Sequence, residues 1–323
     1  MILIVTNRTD IHADHVISML TKRAAPFVRW NTEDFPLGNY FEALFSAQGY
    51  RGAKILTKAG RPIELEMIDA VWYRRPLPGD FGNAIKNPTQ RAFAEHETKE
   101  AKTGIWQLMS ACNWVNHPDA NRVASNKLHQ LKVAAEFGFT IPATLVSNSP
   151  VAIRQFYDEC QGEMVFKRLG GGTIDYADQV EVLYTHKINA SDLDNLEDIV
   201  CAPGIFQEYV PKRVETRITI VGDEVFACEI DSQSNPATVH DWRRDFANTR
   251  YRTHELPVTV AKKCLDFVRM LNLKFGALDF VIRPDSAYVF LEINPNGQWL
   301  WIENLTSLPI GNAIAALLTR RTL

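Results

Sequence analysis

Cysteine is scarce: five residues in 323, at positions 112, 160, 201, 228 and 264, with no CxxC pair among them. An odd number without paired spacing excludes a disulfide framework and a zinc ribbon, and points to reduced, mostly buried thiols. Positive charge is not in excess either. Thirty-five Lys and Arg stand against 38 Asp and Glu, for a net charge of −3, which argues against a broad field for nucleic acid or a membrane surface. No apolar run approaches a membrane span, and the apolar opening runs at once into Asn7-Arg8-Thr9-Asp10, too early for a signal segment. A cytoplasmic protein is the expectation. The eight His form no HExxH, and neither GxxxxGKS nor GxGxxG occurs, so a zincin site, a Walker loop and a dinucleotide fingerprint are all missing.

What is present is an ordinary globular balance, 46% hydrophobic and 23% charged, long enough for two or three compact units. Residues 2–5, 12–24 and 27–30 read as strand, helix and strand, the opening of a small doubly wound α/β domain. A further strand over 69–74 ends in Tyr73-Arg74-Arg75-Pro76, and a helix covers 88–111. Trp114-Val115-Asn116-His117-Pro118 then closes the unit, with Pro118 weighing against further helix. The expected domains are therefore 1–118, a central unit over 119–203 and a C-terminal unit over 204–323. In the central unit a helix from Ser125-Asn126-Lys127 stops at Gly138, and a strand over 163–168 leads into Gly170-Gly171-Gly172. The last unit holds a hairpin over 217–230 turning at Gly222-Asp223, a helix over 258–271, two strands and a final helix over 309–320.

The two strands before that final helix carry the chemistry. Side chains alternate along a strand, so Glu292 and Asn294 share one face while Leu291 and Ile293 take the other. Asp279 sits on the matching phase of the strand before. Two carboxylates and an amide oxygen form a hard-oxygen set of the kind magnesium takes alongside nucleotide phosphates and water. Lys127 and Lys167 offer point charges to phosphates. The glycines 170–172 allow backbone N–H groups to approach phosphate oxygens closely. Gln207-Glu208-Tyr209-Val210 can present backbone to an adenine edge, and Glu215 can accept from ribose hydroxyls.

In this order, Ser125-Asn126-Lys127, Phe166-Lys167 with its glycine loop, Gln207 to Val210, Glu215-Thr216-Arg217, Asp279 and Glu292-Ile293-Asn294 resemble the ATP-grasp superfamily over essentially the whole chain. More narrowly, the chain resembles the ATP-grasp ribosomal peptide maturases, the graspetide synthetases that include the microviridin ligases. The residues that carry this are Val71-Trp72-Tyr73-Arg74-Arg75-Pro76, Trp114 to Pro118, Asp241-Trp242-Arg243 and the long segment from Asn294 through Gly297-Gln298-Trp299-Leu300-Trp301 to Glu303. The resemblance implies an ATP-grasp fold behind a pre-ATP-grasp domain, with ATP and Mg2+ as cofactors. It implies a precursor peptide with leader and core as partner, a homodimer, and ω-ester or ω-amide macrocycles formed through an acyl phosphate. It puts Asp279, Glu292 and Asn294 on the metal, with Lys167, Arg217 and Arg243 as catalytic candidates. Arg217 would stabilise the transferred phosphoryl group, and Arg243 would hold the substrate carboxylate. A leader dock is sought over 175–199. Other readings are a glutamate or amino-acid ligase, a non-catalytic ATP-binding partner protein, and phosphotransfer to a hydroxyl.

Overall fold

The computed structural model describes residues 1–58, 60, 62–170, 173–175, 180–182 and 184–320. Its first part runs β1 (Ile2–Thr6), α1 (Ile11–Lys22), β2 (Phe27–Asn31), β3 (Asn39–Ser46), β4 (Gly49–Thr57), β5 (Pro62–Glu64), β6 (Ala70–Tyr73), α2 (Pro88–Leu108) and β7 (Asn113–Val115). All five residues of β1 are buried, which fits a central strand covered on both faces. Strands β2-β1-β6-β7 pair in parallel in that order. Asp10 caps α1 by accepting from the His12 backbone N–H. The antiparallel meander β3-β4-β5 has no counterpart in the sequence reading. Pro118 also behaves otherwise than expected: it opens α3 (Pro118–Ala124) under a His117 cap. Proline is favoured in a first helical turn, where its missing N–H has no partner to lose.

The central part contains α4 (Lys127–Glu136), β8 (Thr144–Ser147), α5 (Pro150–Glu159), β9 (Met164–Lys167), β10 (Thr173–Asp175), β11 (Val180–Val182), β12 (His186–Lys187) and β13 (Gly204–Glu208). Asn126 caps α4, and Gly138 takes the left-handed backbone after it, at φ +85°. Strand β13 hydrogen-bonds between β8 and β9 in the sheet β12-β9-β13-β8. The boundary expected at 203/204 therefore moves: by its pairing, β13 belongs to the central unit. Within the region sought as a leader dock, β11 pairs with β10 while β12 pairs with β9.

The rest comprises β14 (Val214–Val221), β15 (Glu224–Asp231), β16 (Arg250–Thr253), α6 (Val258–Met270), β17 (Phe275–Ile282), β18 (Tyr288–Asn294), α7 (Leu300–Thr306) and α8 (Ile310–Thr319). Strands β16-β15-β14-β17-β18 form one antiparallel sheet. Phe267 of α6 and Phe139 pack against Phe280 and Phe290 on its back, while Arg217, Asp279 and Glu292 line a cleft. The final helices lie between this sheet and the first domain. Ile310, Ile314 and Leu318 of α8 join Val16 and Leu20 of α1, Trp72 of β6 and Val221, Phe226 and Ile230 of the large sheet in one core, so residues 300–319 seal the first domain against the C-terminal sheet.

Candidate active site

A cleft of about 340 Å³ is lined by residues of the central sheet and of the large C-terminal sheet. Sheet register assembles its floor. Asp279 on β17 lies directly opposite Glu292 on β18, and Ala277 lies opposite Asn294. On its other side Asp279 faces Arg217 of β14. The Arg217 fork grips it twice, Nε to Oδ1 and Nη2 to Oδ2, both at 2.7 Å. Lys127, at the start of α4, donates its ammonium to Glu292 Oε2. Each of these two carboxylates thus has a cation against it.

The electrostatics follow from this pairing. Burial opposes ionisation of Glu292, but Lys127, helped by Lys167 and Arg217, outweighs it and holds the carboxyl well below its ordinary range. Burial likewise works against the charge on Arg217, and Asp279 more than restores it. Among the described residues no carboxylate is in hydrogen-bond contact with Lys167. Its ammonium donates to Gln207 Oε1 at 2.7 Å, and Gln207 in turn donates to Thr144 Oγ1 at 2.9 Å. Burial lowers its pKa, against the pull of Glu292. Lys212, on the approach to β14, donates to Glu215 Oε1 at 2.6 Å.

Every sequence candidate among the described residues lines this one cleft, from Lys127 and Gly170 to Asn294. Gly171 and Gly172 lie outside the described residues. Arg243 arrives on a short turn after Asp241, which accepts from its Nε at 2.8 Å and its Nη2 at 2.5 Å. That clamp raises the Arg243 pKa and leaves Nη1 as the group outside it. Arg168, Lys212 and Asp241 also line the cleft and were missed as site residues. The signal for Lys212 was its place between Val210 and Glu215, two residues already suspected. Trp301 joins Trp242, Phe246 and Tyr251 in an aromatic wall, with the Arg217 guanidinium 6.0 Å above its ring.

With this geometry in place, likenesses to known proteins become informative. A family model described as the MvdD pre-ATP grasp domain matches residues 1–122. A RiPP-associated ATP-grasp ligase from Chryseobacterium gregarium, solved with ADP and a leader and core peptide, superposes with a TM-score of 0.91. It shares 30% identity over 100% of this chain and 99% of that one. Macrocyclase MdnC from Microcystis aeruginosa MRC, bound with precursor peptide MdnA, gives a TM-score of 0.83 at 32% identity, covering 98% of this chain and 99% of that chain. The chain belongs to the ATP-grasp ligases of ribosomal peptide maturation, the graspetide synthetases. Macrocyclase MdnB of the same organism agrees, with a TM-score of 0.83, 31% identity, and 98% of each chain covered. A comparison with curated protein sequences finds no match.

Does this synthetase hold donors suited to a divalent cation? Among the described residues no three His, Cys, Asp or Glu gather into an all-protein cage. Asp279 stands opposite Glu292, and Asn294 lines the same cleft; magnesium commonly takes one or two carboxylates and completes its shell with phosphates and water. The donor set fits. The nucleotide fits on the same wall: Lys127, Lys167, Arg168 and Lys212 supply positive charge around a cleft that also holds Glu215. Among the described residues no helix is long and apolar enough to cross a membrane.

Proposed function

We propose that this synthetase closes side-chain macrocycles in a ribosomally made precursor peptide at the expense of ATP. The observation that carries the proposal is the cleft floor: Asp279 opposite Glu292, ringed by Lys127, Lys167 and Arg217. Asp279, Glu292 and Asn294 would hold Mg2+, which supplies neutralisation of phosphate charge when bound. Lys127 and Lys167 bind phosphates, and Glu215 takes a ribose hydroxyl. The N–H groups of Glu208 and Tyr209 already donate to Ala143 and Glu163 carbonyls. The next donor along the strand, at Val210, is therefore the one assigned to adenine, beside the Glu208 carbonyl.

The chemistry then runs in two displacements. An Asp or Glu side-chain carboxylate of the peptide attacks the terminal phosphorus, and ADP leaves. A Thr or Ser hydroxyl, or a Lys amine, of the same peptide attacks the acyl carbon, loses its proton, and phosphate leaves. Arg243, steadied by Asp241, orients the carboxylate, and Arg217 faces the charge that develops on the transferred group. Both reacting groups sit on one bound chain, so closure is effectively intramolecular. Residues 175–199, of which the described part includes 184–199, are assigned to the leader, and the enzyme is assigned to the cytoplasm as a homodimer, a state that light scattering reads.

Incubation with ATP, Mg2+ and a short precursor rich in Thr, Ser, Asp and Glu tests the proposal. Loss of one water per closure with one ADP released is expected. Addition of an amino-acid mass would make the protein a ligase of the other kind. A phosphate mass would indicate phosphotransfer, and nucleotide binding without peptide-dependent ADP a non-catalytic partner.

A further inference from the structure

The parallel sheet of the first domain ends in a crevice that holds a piece of the C-terminal domain. From β1 the chain moves to β2 on one side and later returns to β6 on the other. Such a reversal is where doubly wound sheets open a ligand crevice beyond their strand ends. Here Thr6, the last residue of β1, and Asp10, His12 and Arg74, beyond the strand ends, are all more than nine-tenths buried. The segment that follows Asn294 fills the space: the Trp299 ring lies 5.0 Å from that of His12, and Arg74 Nη1 donates to the Asn296 carbonyl at 2.7 Å.

Arg74 is an unusual residue to bury. It is 1% exposed, its nearest carboxylate oxygen, on Asp10, stands 3.9 Å from Nε, and Nε and Nη2 find no hydrogen-bond partner among the described residues. An apolar side chain of similar volume commonly does as well or better for stability than a buried ion pair. The bond Arg74 does make leads to the metal set. Asn296, whose carbonyl it holds, donates its own N–H to Asn294 Oδ1 at 3.0 Å. One residue earlier, Asn116 Nδ2 donates to the Pro295 carbonyl at 2.9 Å, while its Oδ1 accepts from the N–H groups of Lys274 and Phe275 at the start of β17. Two buried side chains of the first domain thus hold successive carbonyls directly after Asn294.

We propose that Arg74 is a positioning residue for the cation site: by fixing the turn over 295–297 it fixes the direction of the Asn294 amide oxygen. This inference rests on the nucleotide and metal reading above. Its test is ADP binding by calorimetry, with EDTA and with Mg2+, on the full-length protein, Arg74→Met and Arg74→Lys. Wild type is expected to bind ADP more tightly with Mg2+. Arg74→Met should keep its affinity in EDTA but lose about tenfold or more of the Mg2+ enhancement, as outer-shell substitutions at metal sites do. Arg74→Lys should fall between the two, because an ammonium can still donate to the Asn296 carbonyl but lacks the planar fork that sets the direction of that bond. Equal enhancement in Arg74→Lys and wild type would overturn the proposal even if Arg74→Met does not fold. An equal loss of affinity with and without Mg2+ would also overturn it, since that reports only a loosened cleft. Absence of any Mg2+ enhancement in wild type would instead defeat the metal reading itself, and this inference with it.

Discussion

Replacing Glu292 by Gln removes one negative charge from the cleft and almost none of its volume. The expected consequence depends on whether a cation is present, and that dependence is the useful part. Without metal, Glu292 opposes a polyphosphate, and Lys127 is tied to it. For two unit charges 4–8 Å apart the Coulomb energy is about 2–4 kcal/mol at an effective dielectric of 20 and a quarter of that in water. Because the Glu292 side chain is 38% exposed, the lower part of that range applies. Metal-free ADP should therefore bind Glu292→Gln more tightly, by roughly 0.5–2 kcal/mol, or about 2- to 30-fold. With Mg2+ the order reverses, because a ligand is gone, and closure should fall by at least about 10²–10³-fold. The Lys127 contact is partly exposed, so thermal stability should change by less than about 1 kcal/mol. Calorimetry with ADP in EDTA and in Mg2+, together with peptide mass spectrometry, covers all of these outcomes. Weaker binding of metal-free ADP by the variant, or full cyclisation, would refute the argument.

Other substitutions probe separate links. Arg217→Lys keeps a charge but not the fork on Asp279, so turnover should fall by about 10²-fold while ADP affinity changes by no more than about threefold; steady-state kinetics beside calorimetry read both. Gly297→Ala would bring a new methyl to 2.6 Å from Ala277 Cβ, and the overpacking should destabilise by about 1–3 kcal/mol in urea unfolding. His12, buried beside Arg74, has its pKa lowered to about 3, chiefly by burial. The unfolded chain then binds the extra proton between pH 6.5 and 3, so stability falls as pH drops through that window. Between pH 7 and 5 the loss from this group is about 2 kcal/mol, and His12→Phe should remove that part of the slope in urea unfolding at the two pH values.

Much of the site was legible because strand periodicity is local. Alternation alone put Asp279, Glu292 and Asn294 in phase, and the hairpin turn at Gly222-Asp223 was readable from composition. The pairing β14–β17, which brings Arg217 onto Asp279, joins segments far apart in sequence, and no local pattern announces it. The same holds for Lys127 on Glu292. The meander β3-β4-β5 was hidden because exposed positions of β3 are taken by Tyr40, Leu44 and Phe45 rather than by the polar residues that mark an alternating strand. Pro118 misled because proline ends helices from inside but starts them at the first turn. Arg74 and Arg75 were ambiguous as neighbours in sequence. Only packing shows that Arg74 is buried against Asn296 while Arg75 is exposed.

The central claim is that Asp279, Glu292 and Asn294 gather a divalent cation beside a bound nucleotide, and anomalous diffraction from crystals grown with Mn2+ and ADP tests it most directly. The account predicts a manganese peak between Asp279 and Glu292, bridging to the phosphates, with Arg217 and Lys127 turned from the carboxylates toward the nucleotide. A peak elsewhere, or nucleotide bound while both carboxylates keep their present cations, would contradict it.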